Sequence, residues 1–89
     1  MALFQLGSVV ITPTANSFCR THDIDPLLLI SRHVSCDWGD LSEQDVAANV
    51  QGVQHDLRIF SSYQFSAGKV WVITEADRSS TCILLPGDY

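Results

Sequence analysis

Basic side chains are scarce in this sequence, which has one lysine, Lys69, and four arginines against ten acidic residues. The formal net charge is −5 at pH 7, and the isoelectric point lies near 4.7. Proteins that hold a phosphate backbone do so with clustered Lys and Arg, and the sequence has no run of basic residues. The composition therefore disfavours direct nucleic-acid binding and fits either high solubility or a basic protein partner.

Long apolar segments are also missing. A membrane-spanning helix needs roughly 20 apolar residues, and apolar runs such as Leu27–Ile30 are far shorter. Residues 1–6 lack the basic region and the continuous apolar stretch of a signal peptide. The cysteines, at positions 19, 36 and 82, are odd in number and widely spaced, so they predict no disulfide framework. We therefore expect a cytoplasmic protein with reduced thiols and no membrane segment.

Sequence motifs typical of enzymes are absent as well. The chain has no glycine-rich phosphate loop and no Gly-x-Ser-x-Gly turn. Cys19, His22, His33 and Cys36 can be written as four metal ligands, but their spacing matches no common zinc pattern. Small buried thiols and histidines at helix ends explain these residues more simply. We therefore expect no enzyme, no cofactor and no metal centre.

The pattern of helix signals predicts one α+β domain over residues 1–89. Thr12-Pro13 and Asp25-Pro26 each place an N-cap residue before a proline at the first helical position. They predict one helix from residue 13 to about residue 21 and a second from residue 26 to residue 33 or 34.

A third helix is predicted from Ser42, which can cap it together with Asp45 three residues later. Val46, Val50 and Val53 recur at helical spacing and are expected to form its buried face. The helix is expected to end between residues 51 and 55.

Four strands are predicted, over residues 3–11, 57–65, 69–74 and 81–85. We expect a small antiparallel sheet of about four strands that ends in a β-meander, with the two to three helices on one face. An exposed edge strand would also allow two copies to pair across a twofold axis.

Most of the unusual chemistry lies in two segments, residues 36–45 and residues 71–78. Trp38, among the acids of the first segment, is either a core anchor, which is the interpretation favoured here, or an exposed hot spot. Arg78, at the end of the second segment, either pairs with neighbouring acids or recognises a partner from a loop. The predicted partner-binding residues are Asp37, Trp38, Asp40, Glu43, Asp45, Glu75, Asp77 and Arg78.

Five stretches carry a resemblance to other proteins. They are MALFQLG at residues 1–7, SRH at 31–33, DWGDL at 37–41, WVITEADRS at 71–79, and LLP at 84–86 with Tyr89. Through them nearly the whole chain resembles small proteins of bacterial plasmids and integrative elements, commonly labelled plasmid-related or type I restriction subunit-like. A methyltransferase subunit would be several times longer and would need a cofactor-binding motif that is absent here. The resemblance therefore implies a mobile-element setting and no mechanism.

The leading hypothesis is a non-enzymatic interaction protein of a mobile genetic element. Its carboxylates would occupy a basic surface of a host-defence or nucleic-acid-handling protein, for example to inhibit a restriction or CRISPR complex. A second hypothesis is a nucleic-acid-associated regulator that uses Arg32, Arg58 and Arg78 on one face. A third is a small hydrolase or toxin with His33 and either Asp37 or Asp40 in one pocket.

Overall fold

A computed structural model describes residues 3–89. Met1 and Ala2, which begin the predicted domain and the first resembling stretch, lie outside the described residues. In chain order the elements are β1 (Ser8–Ile11), α1 (Pro13–Thr21), α2 (Pro26–Val34), α3 (Glu43–His55), β2 (Ile59–Phe65), β3 (Gly68–Thr74), β4 (Ser80–Leu84) and a 3-10 turn (Pro86–Asp88). The α+β class predicted from the sequence is confirmed.

The three helices begin where the capping signals predict. The side chains of Thr12, Asp25 and Ser42 each accept a backbone N–H of the first turn, at 3.2, 3.0 and 3.1 Å. The starts agree because caps and prolines act through local geometry alone, and the three helices also end within the predicted ranges. Within residues 3–89, no helix combines the length and apolarity that crossing a membrane requires.

The four strands form one sheet in the order β1-β4-β3-β2. Strands β2, β3 and β4 form the expected antiparallel meander. Strand β1 instead lies parallel to β4, with Ser8 opposite Ser80 and Ile11 opposite Ile83, so the sheet is mixed and not wholly antiparallel. Three helices and two strands separate β1 from β4 in the sequence, so no tight turn fixes their relative direction.

The first strand is shorter than predicted and begins at Ser8 instead of residue 3. The Leu3 N–H donates to the Val34 carbonyl at 3.0 Å, which directs the first described residues towards α2. Gly7 has a φ of +65° and lies so close to the Arg78 carbonyl that a Cβ would overlap it. The left-handed conformation ends the extended run, so only residues 8–11 pair with β4.

The apolar core lies between one face of the sheet and helices α1 and α2. Its buried members are Ala15, Leu29, Ile30, Tyr63, Val70, Val72 and Ile83. These residues combine the apolar faces of two helices with inward positions of β2, β3 and β4.

Helix α3 packs differently from the prediction. Val46 and Val50 are 40% and 41% exposed, and the buried residues of the helix are Asn49 and Gly52. The helix lies against strand β2, and a Cβ on Gly52 would come within 2.8 Å of the Arg58 carbonyl oxygen. Contact with a strand edge favours small and polar residues over valines, because the edge presents backbone N–H and C=O groups.

Candidate functional site

Helix α3 and the residues before it cover the outer edge of β2, which brings the first predicted segment to one side of the molecule. The Asn49 side chain accepts the Phe60 N–H at 2.9 Å and donates to the Phe60 carbonyl at 2.6 Å. The Ser62 N–H donates to the Trp38 carbonyl at 3.0 Å, and the Ser62 carbonyl accepts the Asp40 N–H at 2.7 Å. These hydrogen bonds use outward backbone groups that an edge strand otherwise leaves unpaired.

One acidic group lies at the N-terminal end of α3. Asp40 is positioned by its backbone bond to β2, and Glu43 and Asp45 belong to the first helical turn. All three side chains are exposed, and within residues 3–89 none of them forms an ion pair. The helix dipole favours negative charge at this end. We call Asp40, Glu43 and Asp45 the N-terminal acidic group, and its carboxylates are accessible to a cation from outside.

A second acidic group lies at the C-terminal end of the same helix. Asp56 caps the helix in the left-handed conformation, with a φ of +54°, and Glu75 and Asp77 belong to the turn between β3 and β4. All three are exposed, and we call them the C-terminal acidic group. Helix α3 has 13 residues, a length of roughly 20 Å, and contains no Lys or Arg, although His55 lies in its last turn.

Arg78 holds the β3–β4 turn against the end of α3. Its guanidinium donates to the Gly52 carbonyl and to the Leu57 carbonyl, each at 2.7 Å, and lies 3.9 Å from Asp56. Cationic side chains near a helix C-terminus can hydrogen-bond the last carbonyls, and here the guanidinium adds to the backbone N–H of Asp56, which also donates to the Gly52 carbonyl. The guanidinium is therefore engaged within the protein, mainly by carbonyl groups, and its role in partner recognition stays a prediction.

Asp37 differs from the other predicted acids because it is paired. Arg32 Nε donates to Asp37 Oδ2 at 2.7 Å, and the guanidinium lies 4.5 Å from the centre of the Tyr63 ring. The Tyr63 hydroxyl donates to the Asp37 carbonyl at 2.7 Å. The hydrogen bond from Arg32 lowers the pKa of Asp37, and burial raises the pKa of Tyr63 to about 12. Arg32 offsets the charge of Asp37, so Asp37 contributes less negative charge to this side of the molecule than Asp40 does.

Trp38 is half-buried, between the two positions weighed from the sequence. Its carbonyl accepts the Ser62 N–H, which fixes the backbone beside β2. The indole Nε1 is enclosed and has no hydrogen-bond partner within residues 3–89. In the sequence, Trp38 lies between Asp37 and Gly39, and Gly39 has a φ of +75°.

Between the two acidic groups, α3 presents a small apolar surface. Val46 and Val50 lie one helical turn apart on the same face, and each is about two-fifths exposed. Protein interfaces commonly combine an apolar centre with a polar rim. Helix α3 offers this combination over its length.

His33 lies in the core and forms a directed chain of hydrogen bonds. Thr81 Oγ1 donates to the Leu6 carbonyl at 2.7 Å, so its oxygen accepts from Thr74 Oγ1, also at 2.7 Å. Thr74 Oγ1 then accepts from His33 Nε2 at 2.9 Å. With Nε2 protonated, neutral His33 accepts at Nδ1 from the Ser61 hydroxyl at 2.5 Å. A carbonyl can only accept, so the end of the chain fixes the direction of every proton.

Burial lowers the pKa of His33 to about 4, so the ring is neutral at pH 7. The hydrolase hypothesis needs this ring in a pocket with Asp37 or Asp40. His33 is instead fully buried against Ser61 and Thr74, while Asp37 pairs with Arg32 at the surface. The described residues therefore do not form the pocket that this hypothesis requires.

The four residues considered as metal ligands lie in or just after α1 and α2. Cys19 is buried, and the His22 ring packs 4.6 Å from the ring of Phe18. Burial raises the pKa of the Cys19, Cys36 and Cys82 thiols, so these thiols are less reactive than free cysteine. Within residues 3–89, no group of three or more His, Cys, Asp or Glu side chains is arranged to hold a metal ion.

Sequence reasoning missed Asp56 and the exposure of Val46 and Val50. The sequence did contain a signal for Asp56. Aspartate tolerates the left-handed conformation, and such a residue directly after a helix is a common C-cap. A signal for the valines was also present, since Asn49 and Gly52 share another face of the same helix.

Comparisons with known proteins identified no family. A scan against protein-family models, a search of curated proteins and a search of solved structures each found no match to this chain. The function is therefore inferred from the geometry of the site, and the mobile-element setting stays a prediction from the resemblance.

Proposed function

We propose that this protein is a non-enzymatic binding protein that engages a basic surface of a partner protein through α3. The observation that carries the proposal is the distribution of charge. Exposed carboxylates lie at both ends of a helix that has no Lys or Arg, and within residues 3–89 the N-terminal acidic group has no ion-pair partner.

Physical reasons support binding of a basic partner through α3. Unpaired surface carboxylates steer a basic partner over distances of about a Debye length, roughly 8 Å at physiological salt. The pair Val46 and Val50 supplies apolar area between the charges, and burial of apolar area lowers the dissociation rate after encounter. The carboxylates therefore account for the choice of partner, and the two valines account for slow dissociation of the complex.

The resemblance to mobile-element proteins suggests a biological role for such binding. The partner would then be a host-defence or nucleic-acid-handling protein with a basic channel for phosphate groups. Carboxylates spaced along about 20 Å of helix would occupy that channel in place of phosphates and inhibit the partner. Inhibition is part of the proposal and needs its own assay once the partner is known.

The alternative of a nucleic-acid-associated regulator has less support. It needs a positive patch, whereas each arginine invoked for it has a partner inside the protein. Arg32 pairs with Asp37, Arg58 donates to the Tyr89 hydroxyl at 2.6 Å, and Arg78 donates to backbone carbonyls. Asp37 offsets the charge of Arg32, and the other two contacts occupy N–H donors that phosphate groups would need.

The test compares two double substitutions with the same change of charge. One variant, Asp40→Asn with Asp45→Asn, removes two carboxylates of the N-terminal acidic group. The control, Asp23→Asn with Asp25→Asn, removes two carboxylates between α1 and α2, away from α3. Asparagine tolerates the left-handed conformation of Asp23 and caps helices as well as Asp25 does.

Each immobilised variant captures proteins from a bacterial lysate, and the affinity for the recovered protein is then measured by calorimetry at two salt concentrations. We expect one basic protein at equal stoichiometry, bound at least tenfold more weakly by the Asp40/Asp45 variant and unchanged for the control. Equal binding by the two variants would remove α3 from the proposal. Recovery of nucleic acid instead of a protein would favour the regulator.

A further inference from the structure

The outer edge of β1 has unpaired backbone groups. The Ser8 and Thr12 N–H groups donate to carbonyls on the β4 side of the strand, at 3.1 and 2.9 Å. In a parallel pair, alternate residues turn both backbone groups to the same neighbour, so Val9 and Ile11 point theirs away from β4. Within residues 3–89, no strand lies beyond β1.

An apolar groove lies directly beside this edge. It has a volume of about 440 Å³ and is formed chiefly by Val9, Val10, Ile11, Pro26, Leu27 and Ile30. Val9 is 47% exposed and Leu27 is 72% exposed. No charged side chain of residues 3–89 lines the groove, although the chain has ten acidic residues.

We propose that two copies of this chain associate through this edge, with β1 antiparallel to β1 of the second copy about a twofold axis. Val10 then faces Val10 of the second copy across the axis. Val9 exchanges both backbone hydrogen bonds with Ile11 of the second copy, and the symmetric pair does the same. The two sheets become one continuous sheet, and Leu27 covers the junction from the helical side.

A second copy fits this edge better than another ligand does. The net charge of −5 repels a second copy over most of the surface, whereas the lining of the groove carries no charge that opposes close approach. A twofold axis requires a self-complementary surface, and an edge strand with alternating outward groups meets that requirement. The contact would bury on the order of 1,000 Å² in total, at the lower limit for a specific dimer, so we expect micromolar affinity.

Sedimentation equilibrium from micromolar to millimolar protein tests the proposal on the whole chain. Val9→Pro removes an outward N–H and leaves the bonds to β4, because edge strands tolerate proline where the N–H is unused. Val10→Lys places two like charges opposite each other at the axis. Leu28→Lys is the matched control, since Leu28 is 63% exposed on α2 but lies outside the groove.

We expect a reversible dimer whose dissociation constant rises at least tenfold in Val9→Pro and Val10→Lys and is unchanged in Leu28→Lys. Circular dichroism confirms that each variant is folded, and Val10→Lys decides the result if the proline prevents folding. A wild-type chain that is monomeric at millimolar concentration overturns the proposal, as does a dimer that tolerates Val10→Lys.

Hydrogen exchange supplies a readout that needs no substitution. The Val9 and Ile11 amides should exchange at least tenfold more slowly at high protein concentration, while exposed amides of α3 stay unchanged. Exchange that is independent of concentration overturns the proposal. These measurements use the protein without its partner, so their outcome is separate from the test of α3.

Discussion

The two edges of the sheet are treated in opposite ways. At β2, the outward groups of Phe60 are bonded by the Asn49 side chain and those of Ser62 by the chain before α3. At β1, Val9 and Ile11 point their backbone groups away from β4, beside an apolar groove. An edge strand is a template for pairing unless it is covered. One edge is therefore closed by the protein itself, whereas the other is open among the described residues, and we propose that a second copy pairs with it.

The difference also separates the two proposed surfaces by chemistry. The cover of β2 carries Asp40, Glu43, Asp45 and Asp56, with Glu75 and Asp77 of the β3–β4 turn near its C-terminal end, so we propose that this side selects a partner of opposite charge. The groove at β1 has no charged lining among the described residues, so it suits a copy of the same acidic protein. Substitutions at the closed edge should therefore affect folding, and those at the open edge should affect association.

The largest effect is expected from Gly39→Ala at the closed edge. Gly39 has a φ of +75°, and a Cβ there would overlap the Ser62 carbonyl oxygen, so strain and a lost backbone contact combine. We expect the free energy of unfolding to fall by about 4 kcal/mol. Urea denaturation measures it, with Gly87→Ala as the control because a Cβ there has no neighbour within 4 Å. Similar losses of unfolding free energy in both variants would contradict the close approach of Gly39 to the Ser62 carbonyl.

His33, which lies in the core and hydrogen-bonds Ser61 and Thr74, makes the stability of the fold sensitive to pH. Its pKa is about 4 in the folded protein and about 6.5 when unfolded, so between these values only the unfolded chain takes up the proton. The contribution of His33 to stability is therefore constant above about pH 6.5 and falls as the pH decreases, by about 3 kcal/mol once the pH is near 4.

Denaturation midpoints between pH 7.5 and pH 4 test this expectation. In His33→Gln, the part of the change of the midpoint with pH that is due to His33 should disappear. The same substitution at exposed His22 should leave the change of the midpoint with pH as it is in the unsubstituted protein. An identical slope in all three proteins would show that His33 titrates normally.

A smaller loss is expected from Asn49→Ala, which removes the side chain that bonds both backbone groups of Phe60. Those groups lose their partner in a part-buried position, so we expect about 2 kcal/mol of destabilisation. Asn16→Ala, at an exposed asparagine of α1, should change stability by less than about 0.5 kcal/mol. Equal effects in thermal denaturation would mean that the edge is not closed by Asn49.

The smallest effect on folding is expected at the open edge. Leu27→Ala should lower the free energy of unfolding of the monomer by less than about 0.5 kcal/mol, since the side chain is 72% exposed. Leu29→Ala, two residues later and buried, should cost about 3 kcal/mol. A large loss in dilute Leu27→Ala would show that Leu27 belongs to the core of the single chain.

Local signals predicted much of this fold, and long-range contacts account for the remainder. Thr12, Asp25 and Ser42 mark helix starts correctly because a cap depends only on the next few residues. The parallel pairing of β1 depends on a strand almost the whole chain away, and no local pattern encodes it.

The valines of α3 show a second limit of prediction from local sequence patterns. Helical spacing predicts a buried face when a helix packs on an apolar sheet surface. Helix α3 packs on the edge of a strand, where Asn49 and Gly52 fit better. The acids of residues 40–45 lie together because they are close in sequence, whereas the approach of Glu75 and Asp77 to Asp56 depends on the tertiary fold.

The pairing of Ser8 with Ser80 also bears on the order of folding. Strands β2, β3 and β4 join neighbours through short connections, so their contacts cost little loop-closure entropy. Strand β1 pairs only when nearly the whole chain has been closed into a loop, so we expect it to join the sheet last. Until then β4 is itself an exposed edge. A slow final step would therefore leave a folding chain open to capture by the β1 of another molecule, and exchange of this strand between copies is the expected misfolded product.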